Sequence, residues 1–177
     1  MLSLPLPLPA VAAPPRLQPP HAVTDTPLHH VWAGALAVGS GATVLTALLG
    51  SCVGVGIIWR RKKRCALAHC LLADAPAGTP AVDMRYVSNA IPGLLRALGA
   101  REQDYAELEV VAAGGASLFG QGPFPSKVGE RNIAAFERIV RELGLRVIHQ
   151  RLGGNEGSRI TLHCASLTYD TRPLGKR

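Results

Sequence analysis

The residues best suited to chemistry lie in and after the stretch Leu49-Gly50-Ser51-Cys52-Val53. A cysteine directly follows a Gly-Ser pair, and His69 stands seventeen positions further on. A thiol beside an imidazole can form a thiolate, attack an acyl carbon and return a proton to the leaving group. Ammonia leaving a primary carboxamide needs that proton. A tetrahedral intermediate also needs donors for its oxyanion, and backbone amides at Gly50 and Ser51 are candidates. Thr46, six residues before Cys52, is a candidate to hydrogen-bond the imidazole and fix its tautomer. The spacing alone favours the plainer reading, Cys52 as a small core residue and His69 as a satisfied strand histidine. His21, His29 and His30 fall in a proline-rich N-terminal stretch and read as solvated residues. Cys65, Cys70, Cys164, His149 and His163 are read as structural. The cysteine spacings contain no C-x-x-C pair, so no metal site is expected, and the chemistry above calls for no cofactor.

A hairpin would bring this pair together. Arg60-Arg61-Lys62-Lys63-Arg64 is the most polar part of the region. Cys52 and His69 are symmetric about Arg60-Arg61. A turn centred there puts Cys52 directly opposite His69, with β-carbons about 4.5–5.5 Å apart.

The chain has 177 residues, 47% of them hydrophobic and 18% charged, enough for one domain with a real core. Aromatics are only 5%, so that core is aliphatic. The net charge is +7, yet the bases are scattered outside Arg60–Arg64 and no stacking aromatics lie among them. No nucleic-acid partner is therefore expected, and an acidic protein surface or a membrane-proximal partner fits the charge as well. Residues 1–30 hold repeated Leu-Pro pairs and read as an extended or disordered tail. The prolines and the lack of a basic leader argue against a signal peptide, so cytoplasmic, reduced thiols are the expectation.

Val31 to Trp59 carries no formal charge and precedes five basic residues, as a membrane-spanning helix would. Its glycines argue instead for two or three buried strands, with Gly39-Ser40-Gly41 as a turn. Ala66–Leu72 is the return strand, and 73–83 is loop. A helix is predicted over Asn89–Leu98, starting just before Pro92, with Ile91, Leu94, Leu95 and Leu98 on one face. Leu108–Ala113 reads as a buried strand and Gly114-Gly115-Ala116-Ser117 as a tight turn. A loop over 120–126 and a second helix over Asn132–Leu143 follow. The helix turns Ile133, Phe136, Ile139, Val140 and Leu143 inward. Strands are predicted over Leu145–Arg151 and Arg159–His163, and residues 168–177 form a basic tail. The result is a mixed α/β or α+β fold.

These motifs, taken together and in order, resemble the CheD family, the chemoreceptor glutamine deamidases of bacterial chemotaxis. The resemblance is carried by Thr46 with Leu49-Gly50-Ser51-Cys52-Val53, and by His69-x-x-Leu72. It continues through Arg85-Tyr86-Val87, Gly114-Gly115-Ala116-Ser117-Leu118-Phe119, Gly129-x-Arg131-Asn132 and Gly153-Gly154-Asn155. It runs from about residue 31 to about residue 167. It implies a layered sandwich of mostly antiparallel and mixed strands flanked by helices, akin to bacterial toxin deamidases. It implies catalytic roles for Cys52, His69 and Thr46, and hydrolysis of receptor glutamines to glutamate through a thioester, without metal or cofactor. The implied partners are the cytoplasmic domains of methyl-accepting chemotaxis receptors and a CheC-type phosphatase. Under the resemblance Val31–Trp59 is buried strand, not a membrane span. The alternative is a non-enzymatic adaptor of the same fold that binds the phosphatase or the receptor.

Overall fold

The structure is a computed structural model that describes residues 27–117 and 127–175. The proline-rich stretch before residue 27 and the loop predicted at 120–126 lie outside those residues. The described residues form nine strands, two α-helices and one 3-10 helix. The strands are β1 (Leu28–His30), β2 (Leu36–Ser40), β3 (Val44–Leu49), β4 (Val53–Trp59) and β5 (Arg64–Cys70). They continue with β6 (Glu109–Gly114), β7 (Arg146–Leu152), β8 (Ser158–His163) and β9 (Thr168–Pro173). The helices are α1 (Val87–Leu98) and α2 (Val128–Glu142), with the 3-10 helix at Glu102–Glu107.

Two mixed sheets and a helical layer make the α+β sandwich. One sheet runs β1-β3-β8-β9 and the other β2-β5-β4-β6-β7. Alternation along the central strands decides which face meets which layer. Val53, Val55 and Ile57 of β4 and Ala66, Ala68 and Cys70 of β5 pack with α1 and α2. Ile58, Cys65 and Leu67 face the other way, against Leu45, Ala47 and Leu49 of β3 and Ile160 and Leu162 of β8. Glycine makes that second interface close. A β-carbon on Gly56 would lie 2.8 Å from Val111 and 3.0 Å from Leu162. Val31–Trp59 therefore holds strands β2, β3 and β4, drawn from both sheets, and among the described residues no helix is long and apolar enough to cross a membrane.

The fold departs from the sequence reading in several places. Residues 168–173 are strand β9, paired antiparallel with β8, where a basic tail was expected. Residues 28–30 are strand β1, parallel to β3, within the expected N-terminal tail. Helix α1 begins at Val87, five residues before Pro92. Its first amides find partners outside the helix, Val87 N–H donating to the Leu72 carbonyl and Ser88 N–H to that of Ala73. That anchorage extends the helix N-terminally and leaves Pro92 inside it. Helix α2 likewise starts four residues early, at Val128, with Ile133 and Leu143 only partly buried.

Candidate functional site

The β4–β5 hairpin exists, but its register is offset from the prediction. Its turn comprises Arg60–Lys63, with Lys63 at φ 51°, and Arg64 already belongs to β5. Trp59 pairs with Arg64, Gly54 with His69 and Val53 with Cys70. The turn centre lies one residue later than expected, so partners shift by two. His69 faces Gly54, and Cys52 lies diagonally from it, at the end of the ladder. A two-residue shift preserves side-chain parity, so Cys52 and His69 still share the face directed at the other sheet. Diagonal neighbours of this kind stand about 7–8 Å apart.

His69 is fixed by the segment before β2. Its backbone N–H donates to Ala35 and its carbonyl accepts from Gly34 N–H. The residue is 6% exposed, and its Nδ1 lies 3.1 Å from the Val31 carbonyl oxygen. A carbonyl only accepts, so Nδ1 carries the hydrogen and Nε2 the lone pair. Burial holds the imidazole below its ordinary pKa, partly opposed by the bond to Val31. The neutral ring is the favoured form.

Thr46 does not reach this ring. Leu45, Ala47 and Leu49 of β3 point into the core between the sheets, so Thr46 points to the outer face. Its hydroxyl donates to the Ile160 carbonyl at 3.0 Å and lies 3.2 Å from the Thr161 hydroxyl. The expected Thr46–imidazole hydrogen bond is replaced by a main-chain relay. The Thr46 carbonyl accepts from Val31 N–H at 2.7 Å, and the Val31 carbonyl accepts from His69.

Cys52 sits on a turn held by its carbonyls. Ala116 N–H donates to Gly50 and Gly115 N–H to Cys52, at 2.9 and 2.7 Å. Asn132 Nδ2 donates to Ser51 at 3.0 Å. In a trans peptide the C=O of one residue and the N–H of the next point in opposite directions. With three successive carbonyls drawn into the protein, the amides of Ser51 and Cys52 are turned away from those partners. Cys52 is half-buried, and burial pushes its thiol above its usual pKa, partly offset by a hydrogen bond from its own backbone.

The glycine motifs support this turn. Gly114 has φ 101°, and a β-carbon there would collide with the Cys52 carbonyl oxygen. A β-carbon on Gly129, in the first turn of α2, would collide with the Gly115 carbonyl. Close backbone approach thus locks the Cys52 turn, the end of β6 and the start of α2 together. Asn132 was quoted in the sequence only as part of a motif. A polar residue in line with Phe136 and Ile139 on the apolar face of α2 is the signal that could have found it.

Cys65, Cys70 and Cys164 are buried free thiols, and burial raises the Cys70 pKa. Among the described residues no group of three His, Cys, Asp or Glu side chains could hold a metal ion. A cleft of about 620 Å³ is lined in part by Leu72, Tyr86, Arg131, Asn132 and Arg138, and neither Cys52 nor His69 lines it.

Residues 71–172 match the family model for CheD chemotactic sensory transduction. A probable chemoreceptor glutamine deamidase CheD of Bdellovibrio bacteriovorus is 35% identical over 136 residues, covering 76% of this chain and 87% of the relative. A probable chemoreceptor glutamine deamidase CheD 2 of a Ruegeria species is 35% identical over 165 residues, covering 82% of this chain and 91% of its own. One named probable chemoreceptor glutamine deamidase CheD in Methanococcus maripaludis is 36% identical over 132 residues, covering 73% and 84%. The family model begins just after His69, whereas stretches as long as the first two must include Thr46, Cys52 and His69. With a family match over more than half its length and relatives of this identity, the chain belongs to the CheD family of chemotactic sensory transduction proteins.

Proposed function

We propose that this protein hydrolyses glutamine side chains of chemoreceptor cytoplasmic domains to glutamate, releasing ammonia, with Cys52 as nucleophile and His69 as proton carrier. The observation that carries the reading is the tautomer of His69. Its Nδ1 hydrogen is committed to Val31, so the basic Nε2 belongs to a ring on the same sheet face as Cys52. Relatives named as chemoreceptor glutamine deamidases support the substrate class.

Both groups are neutral at rest, so the proton moves during attack rather than before it. Nε2 takes the Cys52 proton as sulfur adds to the carboxamide carbon. The oxyanion is met by the outward amides of Ser51 and Cys52, the latter refining the expectation for Gly50 and Ser51. The imidazolium then gives its proton to the departing nitrogen, and ammonia leaves a thioester on Cys52. Water, deprotonated by His69, adds to the thioester, and glutamate is released with the thiol restored. Thr46 contributes through its carbonyl, which holds the Val31 peptide that orients His69. Neither step draws on a metal or an organic cofactor. A CheC-type phosphatase is the proposed regulatory partner.

The test is ammonia release from a purified receptor cytoplasmic fragment, with wild type and Cys52→Ala compared. Mass analysis of the fragment checks for the difference between a carboxyl and a carboxamide. Release by wild type alone is expected. No release from folded wild type would overturn the deamidase reading and favour an adaptor, to be tested by binding to the phosphatase.

A further inference from the structure

We infer that Asn132 is the positioning residue that sets the Cys52 turn against the end of the His69 strand, an inference that rests on those two residues being the reacting pair. Helix α2 buries Gly129, Asn132, Ala135, Phe136, Ile139 and Val140, and Asn132 is 0% exposed. An apolar side chain is the ordinary occupant of such a place. Asn132 instead sends its Nδ2 to two backbone carbonyls, Ser51 at 3.0 Å and Leu71 at 2.9 Å. Carbonyls only accept, so the nitrogen must be the atom between them.

The two acceptors are the point of the arrangement. Ser51 directly precedes Cys52, and Leu71 lies two residues after His69. One amide group therefore ties the nucleophile's turn to the end of the strand that carries the base. The β6 side holds only the neighbouring carbonyls, those of Gly50 and Cys52. Asn132 supplies the hold from the helix side, with Gly129 close on Gly115 one turn earlier.

The side chain is also incompletely satisfied. Its Oδ1 is buried and has no hydrogen-bond partner. A buried acceptor left unpaired is unfavourable. A group kept in spite of that is what a fold shows where geometry, not stability, is the requirement.

The test uses the full chain carrying Asn132→Asp or Asn132→Ala, with the receptor fragment as substrate and iodoacetamide as thiol probe. A misplaced turn lowers kcat about 10²-fold and leaves KM within about threefold of wild type. Freed from its anchor, Cys52 is alkylated several-fold faster, while Cys65 and Cys70 stay unlabelled. Faster labelling with slower deamidation is a combination that general loosening would not confine to Cys52. Should Asn132→Asp label every cysteine, as an unfolded chain would, Asn132→Ala decides, since it removes the amide without adding a charge. Wild-type kcat, or unchanged Cys52 labelling in a folded variant, overturns the inference. If wild type releases no ammonia, the deamidase reading falls, and the labelling ratio alone still decides whether Asn132 holds the turn.

Discussion

Gly114→Ala is the sharpest perturbation of the turn that carries Cys52. Gly114 has φ 101°, a region that residues with a β-carbon avoid, and the added carbon would meet the Cys52 carbonyl oxygen. Holding a non-glycine residue in such a conformation costs about 1–3 kcal/mol. Forcing an extra carbon into packed backbone costs about 1–3 kcal/mol more. The sum, about 2–6 kcal/mol, lowers the melting temperature by at least about 4 °C for a chain of this size. Relief comes by pushing the Cys52 carbonyl off Gly115 N–H, now 2.7 Å away, which displaces the nucleophile. A displacement near 1 Å costs about 10²-fold in rate. Gly41→Ala is the matched control. It has φ 55° with nothing within 4 Å of the added carbon, so it carries the conformational term without the collision. Thermal unfolding and ammonia release, measured on both variants, separate the two terms. Equal losses of stability, or full activity in Gly114→Ala, would refute the claim that this glycine exists to let the Cys52 carbonyl approach.

Further outcomes follow from the electrostatics. Because burial lowers the His69 pKa from its ordinary 6.5, the acid limb of the activity profile should have its midpoint below pH 6.5; a midpoint above it contradicts the buried neutral ring. Stability has the matching sign: the unfolded chain binds the proton more readily, so His69 contributes a loss that sets in as pH falls below 6.5. His69→Gln should remove that acid-side slope when thermal unfolding is measured across pH. Cys52, the one cysteine not fully buried, should be the first alkylated by iodoacetamide. Its rate should still be rising above pH 9.0, since burial raises the thiol; a fast plateau at neutral pH would instead mean a preformed thiolate–imidazolium pair. A +7 protein acting on an acidic receptor surface should show KM rising with salt through about 0.1 M, where the screening length is about 10 Å. A flat response would remove electrostatic steering from the account.

The sequence was legible where pattern is local. Glycines in Val31–Trp59 favoured strands over a membrane helix because Gly54 and Gly56 are needed for sheet-on-sheet approach. The Cys52–His69 hairpin was legible from a basic run between two apolar flanks. Its register was not, because Arg64 reads as a turn residue and pairs with Trp59 as strand. The error was even, so the shared face survived it. Thr46 was misjudged since its direction depends on β8, more than a hundred residues away. Separations of 38 residues and of 81 and 61 residues likewise hid Val31 as the partner of His69 and Asn132 as the link between the Cys52 turn and the end of the His69 strand. Strand β9 was missed because Thr168–Pro173 has the polar composition of a tail and gains its order only by pairing with β8.

The most direct test of the central claim is to look for the covalent intermediate. Wild-type protein is mixed with the receptor fragment, quenched in acid within the first turnovers and mapped by mass spectrometry. A receptor peptide joined to Cys52 by a hydroxylamine-sensitive thioester, absent in Cys52→Ala, is the predicted result. Deamidation of the fragment by Cys52→Ala at the wild-type rate would contradict it.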